Sequence, residues 1–528
     1  MKLKISFKAV LSMILIGFLS MSTFGQKKKN LLFIMTDQQQ YKALSIAGNT
    51  VLETPNLDRL AKGGAYFKNA YTPMAVCGPA RSSILTGMTV ESTGINSNAR
   101  TYSYNDSQVM TSKTFDEILN ENGYHCEYYG KWHVLTSKGE VYKNPKLTSK
   151  NGKSRFGPGG QNHVFMDYIN EIYPQPKLKE GELYDTFVKR PYKPNPIDSY
   201  YGKTYEEVKD KKRRTQTYLH GELLIPAEHS ITAYQAKETI AAIERLKDST
   251  FSITLSWHMP HAPMTPTKPY SGMYPVKEMV LPASLHDNME NSPYKKANQR
   301  LNLPEYRDEE KIKYMISDYY GIIKEIDVWI GEILKTLDKN GLTDDTLIIF
   351  TSDHGEMLGA HGMREKNVFY EESSHIPLLI RFPGEIKKKT VVDGYVSNVD
   401  LFSTILDYLK IEGDYASDGS SLRDLIEGNK TNHGKYVVTE WDRGDTVPNY
   451  MIVKDGWKLI IPYTATSKVI NAMYDLNSDP HEMNNLLGLN PNRADYKDQA
   501  EELRKDLLEW LKKNKSSHYN GVKDRKLI

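Results

Sequence analysis

The sequence is poor in cysteine: only Cys77 and Cys126 occur among 528 residues. That excludes a disulfide-stapled scaffold, and a single Cys77–Cys126 bridge is the most that could form. Beyond the extreme N-terminus no stretch approaches the roughly 18 uninterrupted apolar residues of a membrane helix, so no stable membrane insertion is expected. Neither sign of charge dominates, since 69 Lys and Arg against 66 Asp and Glu leave a net +3. Such a balance predicts no nucleic-acid partner. No internal repeat is visible, which excludes solenoids and propellers. What remains is an ordinary globular composition, 39% hydrophobic, long enough for one large domain and one small one.

The N-terminus carries Lys2 and Lys4, an apolar run over residues 9–19, and small or polar residues around Thr23-Phe24-Gly25-Gln26. This pattern reads as a secretory signal over residues 1–25. No cysteine near the cleavage point could carry a lipid, so a periplasmic or secreted protein is expected.

Downstream, helices and strands alternate. The apolar run 30–35 ends in Thr36-Asp37-Gln38, and its continuity fits a strand covered on both faces. Thr54-Pro55 opens a helix that stops at Gly63-Gly64, and Thr114-Phe-Asp-Glu117 has capping-box spacing ahead of a helix and a strand over 124–130. A helix over about 232–246, a strand over 251–257, a long amphipathic helix around 315–337 and a strand over 346–350 repeat the alternation. Together these predict a doubly wound α/β domain, in which ligands gather beyond the carboxyl ends of strands. Asp37, the segment from His258 to His261, and Asp353-His354 all fall just there. Residues 139–220 lose the pattern and are rich in Lys, Tyr, Pro and Gly, ending near Arg213-Arg214. They read as a solvated insertion or as a wall of a cleft that attracts anions. From 434 onward, short alternating stretches over 436–439, 450–453 and 457–461 predict a small antiparallel sheet, closed by a helix over about 496–512. The expected organisation is residues 27–433 as one domain and 434–528 as a C-terminal α+β subdomain.

In Met74-Ala-Val-Cys-Gly-Pro-Ala-Arg-Ser-Ser-Ile-Leu-Thr-Gly87, Pro79 suits a first helical position and Gly87 a C-terminal cap. Cys77 would then lie against the positive end of a short helix, with Arg81 one turn inward. That is a setting for a reactive or anionic group.

Cys77-Gly-Pro-Ala-Arg81 resembles the C-x-P-x-R signature of the formylglycine-dependent sulfatases, and Gly123-Tyr124 with Gly130-Lys131-Trp132-His133 resembles their second signature. Thr36-Asp37-Gln38, Pro260-His261-Ala-Pro263, Ser352-Asp353-His354-Gly-Glu356 and Tyr474-Asp475 with Asp479-Pro480 agree in the same order. The resemblance, to exported bacterial polysaccharide sulfatases, implies an alkaline phosphatase-like mixed sheet flanked by helices. It further implies that a maturation enzyme oxidises Cys77 to formylglycine, whose hydrate is the nucleophile. Asp37, Gln38, Asp353, His354 and an oxygen of modified Cys77 would hold one calcium ion, although Gln38 and His354 stand where a second aspartate and an asparagine are frequent. Arg81 would hold the hydrate. Lys131 and Lys366 would contact sulfate, His261 would contact the substrate and protonate the leaving alcohol, and His133 would take the proton that releases sulfate. Lys131 and His133 are expected on one face of an extended segment. His361, His375 and Arg213-Arg214 are candidates for contacts beyond the sulfate.

The substrate implied is a sulfated carbohydrate, an algal polysaccharide such as ulvan or carrageenan or a glycosaminoglycan. The alternatives are a phosphodiesterase or phosphonate monoester hydrolase of the same superfamily, and an inactive carbohydrate-binding relative.

Overall fold

The computed structural model describes residues 28–98, 110–134, 163–172, 188–189, 221–295, 307–429, 433–441, 444 and 446–528. The expected signal segment, Arg213-Arg214 and most of the expected insertion lie outside the described residues.

Seven strands form the main sheet: β1 (Asn30–Asp37), β2 (Ala65–Tyr71), β3 (His125–Gly130), β4 (Phe251–Pro260), β5 (Thr346–Ser352), β6 (Leu378–Arg381) and β7 (Thr390–Ser397). Their order is β3-β4-β1-β5-β6-β2-β7. β3, β4, β1 and β5 run parallel to one another, and β6 alone pairs antiparallel with both its neighbours. The apolar run of β1 is continuous because each face feeds a different core. Leu32 and Ile34 belong to one cluster, while Leu31, Phe33 and Met35 belong to the other.

Helices cover both faces. The first cluster takes α1 (Pro55–Lys62), α4 (His163–Ile172), α5 (Ile231–Leu246) and the long α6 (Glu309–Lys339). The second takes α2 (Cys77–Thr86), α3 (Phe115–Glu121) and α7 (Asp400–Tyr408). The capping box of α3 is present, with Thr114 accepting from the Glu117 amide and Glu117 accepting from the Thr114 amide. One expectation needs correcting: the segment 139–220 is not wholly solvated. α4 buries Phe165 and Ile169 in the core, and Phe165 packs on Tyr234 of α5.

The C-terminal sheet is antiparallel and has four strands, β8 (Val437–Glu440), β9 (Tyr450–Lys454), β10 (Trp457–Ile461) and β11 (Ala472–Asp475). On one face it receives Leu503, Leu507 and Leu511 of α8 (Lys497–Lys513), each fully buried and contributing about 2 kcal/mol of hydrophobic stabilisation. Its other face packs Met451, Ile460 and Tyr474 against Tyr71, Met74, Val76 and Phe369. Lys458 strengthens that seam, donating to Phe369 O at 3.0 Å and pairing with Glu371 at 2.7 Å and Glu482 at 2.8 Å. The small sheet therefore braces the segments that lead into Cys77 and out of Lys366.

Candidate active site

The four parallel strands β3, β4, β1 and β5 are adjacent, so their carboxyl ends meet along one edge. β1 delivers Asp37 and Gln38, β5 delivers Asp353 and His354, β3 delivers Lys131 and His133, and β4 delivers His258 and His261. Register makes the first two pairs neighbours: Thr36 lies opposite Ser352, and the Asp353 amide donates to Thr36 O.

α2 approaches this edge with its N-terminus. The helix begins at Cys77 itself, so Pro79 occupies its third position and not the first. The thiol is thereby placed at the very start of the helix, with Gly87 as a left-handed C-cap. Both cysteines are free thiols, Cys126 being buried in the second core cluster, and no bridge joins them.

Arg81 is fully buried and organises the floor. Its Nε donates to Asp353 Oδ2 at 2.8 Å, NH2 to Asp37 Oδ2 at 3.2 Å, and NH1 to Lys131 O and Ser256 Oγ, each at 2.7 Å. Asp353 Oδ1 accepts the amides of Gln38 at 3.1 Å and His354 at 2.9 Å. Lys131 Nζ donates to Asp37 Oδ2, and Cys77 Sγ lies 3.1 Å from His354 Nε2 and 3.8 Å from Asp37 Oδ1. Lys366 Nζ donates to Gln38 Oε1 and lies 3.1 Å from His261 Nε2, while His261 Nδ1 is engaged with Ala262 O at 2.7 Å.

Lys131 and His133 do converge on Cys77, but not by strand alternation. β3 ends at Gly130, and His133 has φ +54°, so the segment turns there. Gly130 is required at that point: with φ +99° its backbone passes Ser256 so closely that a Cβ would lie 1.9 Å from Ser256 O.

Charge balance in this enclosed space sets the protonation states. Burial and the neighbouring Cys77 work against the Asp37 carboxylate, yet Lys131, His261 and Arg81 hold it well below the usual carboxylate range. Burial likewise opposes ionisation of Cys77, but Lys131, Lys366, His354 and a hydrogen bond with His133 hold the thiol well below its ordinary value. Burial lowers His133, and Lys131 adds to the effect. For His354 burial is outweighed by Asp353 and Cys77, which raise it.

Asp37, Cys77, Asp353 and His354 each offer one ligand atom, all within 4.8 Å of one another, and form a divalent metal-binding group. Two carboxylates and an imidazole suit such an ion. The Gln38 side chain is oriented by two contacts: Nε2 donates to Glu356 Oε2, and Oε1 accepts from Lys366 Nζ. Glu356 Oε1 in turn accepts the amides of Leu358 and Glu365, next to Lys366. Ser256 carries no distinguishing spacing in the sequence, and Glu356, though it closes the Ser352–Glu356 segment, takes no role from the resemblance; the positioning roles of both emerge only from these contacts.

His361 and His375 make their contacts elsewhere. His361 pairs with Asp287 at 2.7 Å and stacks on Tyr370 at 3.8 Å. His375 lies between Tyr41 and Tyr71 and engages Glu371 and Lys68 O, each at 2.8 Å. None of these contacts is with the Cys77 cluster.

The family model described as Sulfatase matches residues 29–411, and that described as N-sulphoglucosamine sulphohydrolase, C-terminal, matches residues 359–513. An arylsulfatase of Clostridium perfringens is 29% identical over 94% of this chain and 97% of its own. An N-acetylglucosamine-6-O-sulfatase of Bacteroides thetaiotaomicron is 28% identical over 93% and 88%. The crystal structure of a phosphonate monoester hydrolase of Agrobacterium radiobacter shares the fold, with a TM-score of 0.72, 22% identity, and coverage of 92% and 96%.

Proposed function

Since the chain belongs to the sulfatase family and is a sulfuric ester hydrolase, we propose that it is an exported enzyme removing sulfate from a sulfated carbohydrate, with formylglycine formed from Cys77 by a maturation enzyme. The observation that carries this reading is the position of Cys77. It stands at the first residue of α2, in contact with the metal-binding group and within the field of Lys131, Lys366 and His133.

Asp37, Gln38, Asp353, His354 and an oxygen of the modified residue 77 would hold one calcium ion. The ion supplies Lewis-acid polarisation and offsets sulfate charge, and the formylglycine hydrate supplies the hydroxyl nucleophile. The remaining work falls to side chains. Lys131 and Lys366, both buried, bind sulfate oxygens and offset the charge that repels a nucleophile. Arg81 fixes both carboxylates and, through Lys131 O, the start of the turn that carries His133. His133, hydrogen-bonded to position 77, accepts a proton there. His261 has Nδ1 engaged with a backbone carbonyl and offers Nε2 to the leaving oxygen.

A carbohydrate substrate is supported by the similarity to an N-acetylglucosamine-6-O-sulfatase. Export is supported by the N-terminal pattern of residues 1–25; among the described residues no helix is long and apolar enough to cross a membrane.

The test pairs peptide mass analysis of position 77 with a panel of glycosaminoglycan, ulvan and carrageenan oligosaccharides, alongside aryl sulfate, aryl phosphate and aryl phosphonate esters. Conversion at residue 77 and release of sulfate from one glycan at one ring position are expected. Full activity with an intact Cys77 thiol refutes the nucleophile. Faster turnover of phosphonate or phosphate than of any sulfate ester assigns the site to the rival chemistry.

A further inference from the structure

One histidine at the edge of the site has no role in this account. His258 lies on β4, where side chains alternate between faces. Leu255 and Trp257 point into the first core cluster, whereas Ser256 receives Arg81 on the other face. His258, two residues beyond Ser256, therefore shares the face of Arg81 and lies nearer the carboxyl end, where the ligands gather. Its ring centroid is 5.2 Å from that of His261. It is 2% exposed, no more enclosed than Cys77 at 1%.

Neither ring nitrogen of His258 has a hydrogen-bond partner among the described residues. A buried polar group left this way costs about 1–3 kcal/mol, so two in one ring point to a ligand that completes them. Burial, reinforced by Lys131 and His261, holds this imidazole well below its ordinary range, so it is neutral and offers one donor and one acceptor. Sulfate oxygens have no proton to give and could satisfy only the donor. The acceptor nitrogen needs a proton donor, which a hydroxyl supplies; the two ring nitrogens point apart, so the donor nitrogen faces a second acceptor. The neighbour of His258 is His261, the residue assigned to the leaving oxygen, which places such a hydroxyl on the alcohol side of the ester.

We propose that His258 is a specificity-determining residue whose acceptor nitrogen takes a hydrogen bond from a substrate hydroxyl adjacent to the ester oxygen. This rests on the reading of the site as a sulfate ester hydrolase, and it names the substrate class more closely: alcohols bearing a neighbouring free hydroxyl, as a pyranose ring does.

Two substrate pairs test it. One is 4-nitrocatechol sulfate against 4-nitrophenyl sulfate; the other is a pyranose sulfate against the same sugar deoxygenated at the adjacent carbon. For each pair that the wild type hydrolyses, the ratio of kcat/KM values is compared with that of His258→Phe and His258→Gln, after circular dichroism confirms folding. The ratio in favour of the hydroxyl-bearing ester is expected to fall about 10- to 100-fold in His258→Phe. In His258→Gln, whose amide keeps a donor and an acceptor, it is expected to recover in part. Comparing ratios removes any general loss of rate. If the ratio is unchanged in His258→Phe, or in His258→Leu where the Phe variant does not fold, the proposal is overturned and the ring holds only water or packs. Turnover of neither pair by the wild type overturns the sulfatase reading of the site and this proposal with it.

Discussion

Replacing Asp353 by asparagine tests whether the buried charges around Arg81 form the site's frame. The substituted amide would keep an oxygen where Oδ1 accepts the Gln38 and His354 amides. It would turn an NH2 group toward Arg81 Nε, so a donor faces a donor inside a fully buried pair. Two unit charges 2.8 Å apart attract by roughly 6 kcal/mol at an effective dielectric of about 20. Sparing the desolvation of the carboxylate returns part of this, which leaves a net loss of about 3–5 kcal/mol for a guanidinium deprived of one partner. Chemical denaturation in chelator measures that loss without any contribution from bound metal. A double-mutant cycle with Arg81→Met isolates the pair, and a coupling of about 2–3 kcal/mol is expected, because the double variant leaves no charge facing an empty partner position. Calorimetric titration should also show weakened calcium binding and the assay no sulfate release. An Asp353→Asn protein within about 1 kcal/mol of wild type in chelator, with additive effects in the cycle, would refute the reasoning.

Glu356→Ala should lower calcium affinity by about 10- to 100-fold, because Gln38 loses the acceptor that orients its amide, and Glu356→Gln should recover part of it; unchanged affinity by calorimetry removes Glu356 from the support of the site. A pH effect on stability is expected from Glu325, buried on α6 beside Ser230 and pushed up to about 8 by burial. Its folded-state value exceeds the ordinary 4.5, so the folded protein binds the proton more tightly, and stability is lost as pH rises from about 4.5 through about 8. The full loss approaches roughly 5 kcal/mol. Glu325→Gln should remove most of it, and a denaturation difference between pH 5 and pH 9 equal to that of wild type would contradict the assignment.

Much of the first half of each βα unit was legible in the sequence. β1 reads as a doubly covered strand because Leu31 to Met35 is unbroken, and α3 reads from its capping box because both halves of that device lie within four residues. β2, β6 and β7 do not read as strands. β6 has only four residues, β2 carries Lys68 and Asn69 at its centre, and β7 is interrupted by Asp393 and Gly394; pairing with neighbours compensates for weak local preference. The fourth strand of the small sheet, β11, is equally short and equally dependent on its partner.

The sequence by itself singled out the candidate residues, since Cys77, Arg81, Asp37, Asp353, Lys131, His133 and His261 fall in short segments that resemble the family's, and Lys366 follows from the same resemblance. Tertiary structure alone decided how they meet. Arg81 and Asp353 are 272 residues apart and Lys366 and Gln38 are 328 apart, and no local pattern encodes such a pairing. It also decided that His133 reaches Cys77 through a left-handed turn after Gly130, that His361 is paired with Asp287 and Tyr370, and that His258 stands beside His261 with no hydrogen-bond partner among the described residues. Local spacing fixes conformation over one or two turns of chain, whereas the partner of a buried charge depends on strand order and register, which form only when distant segments pack together.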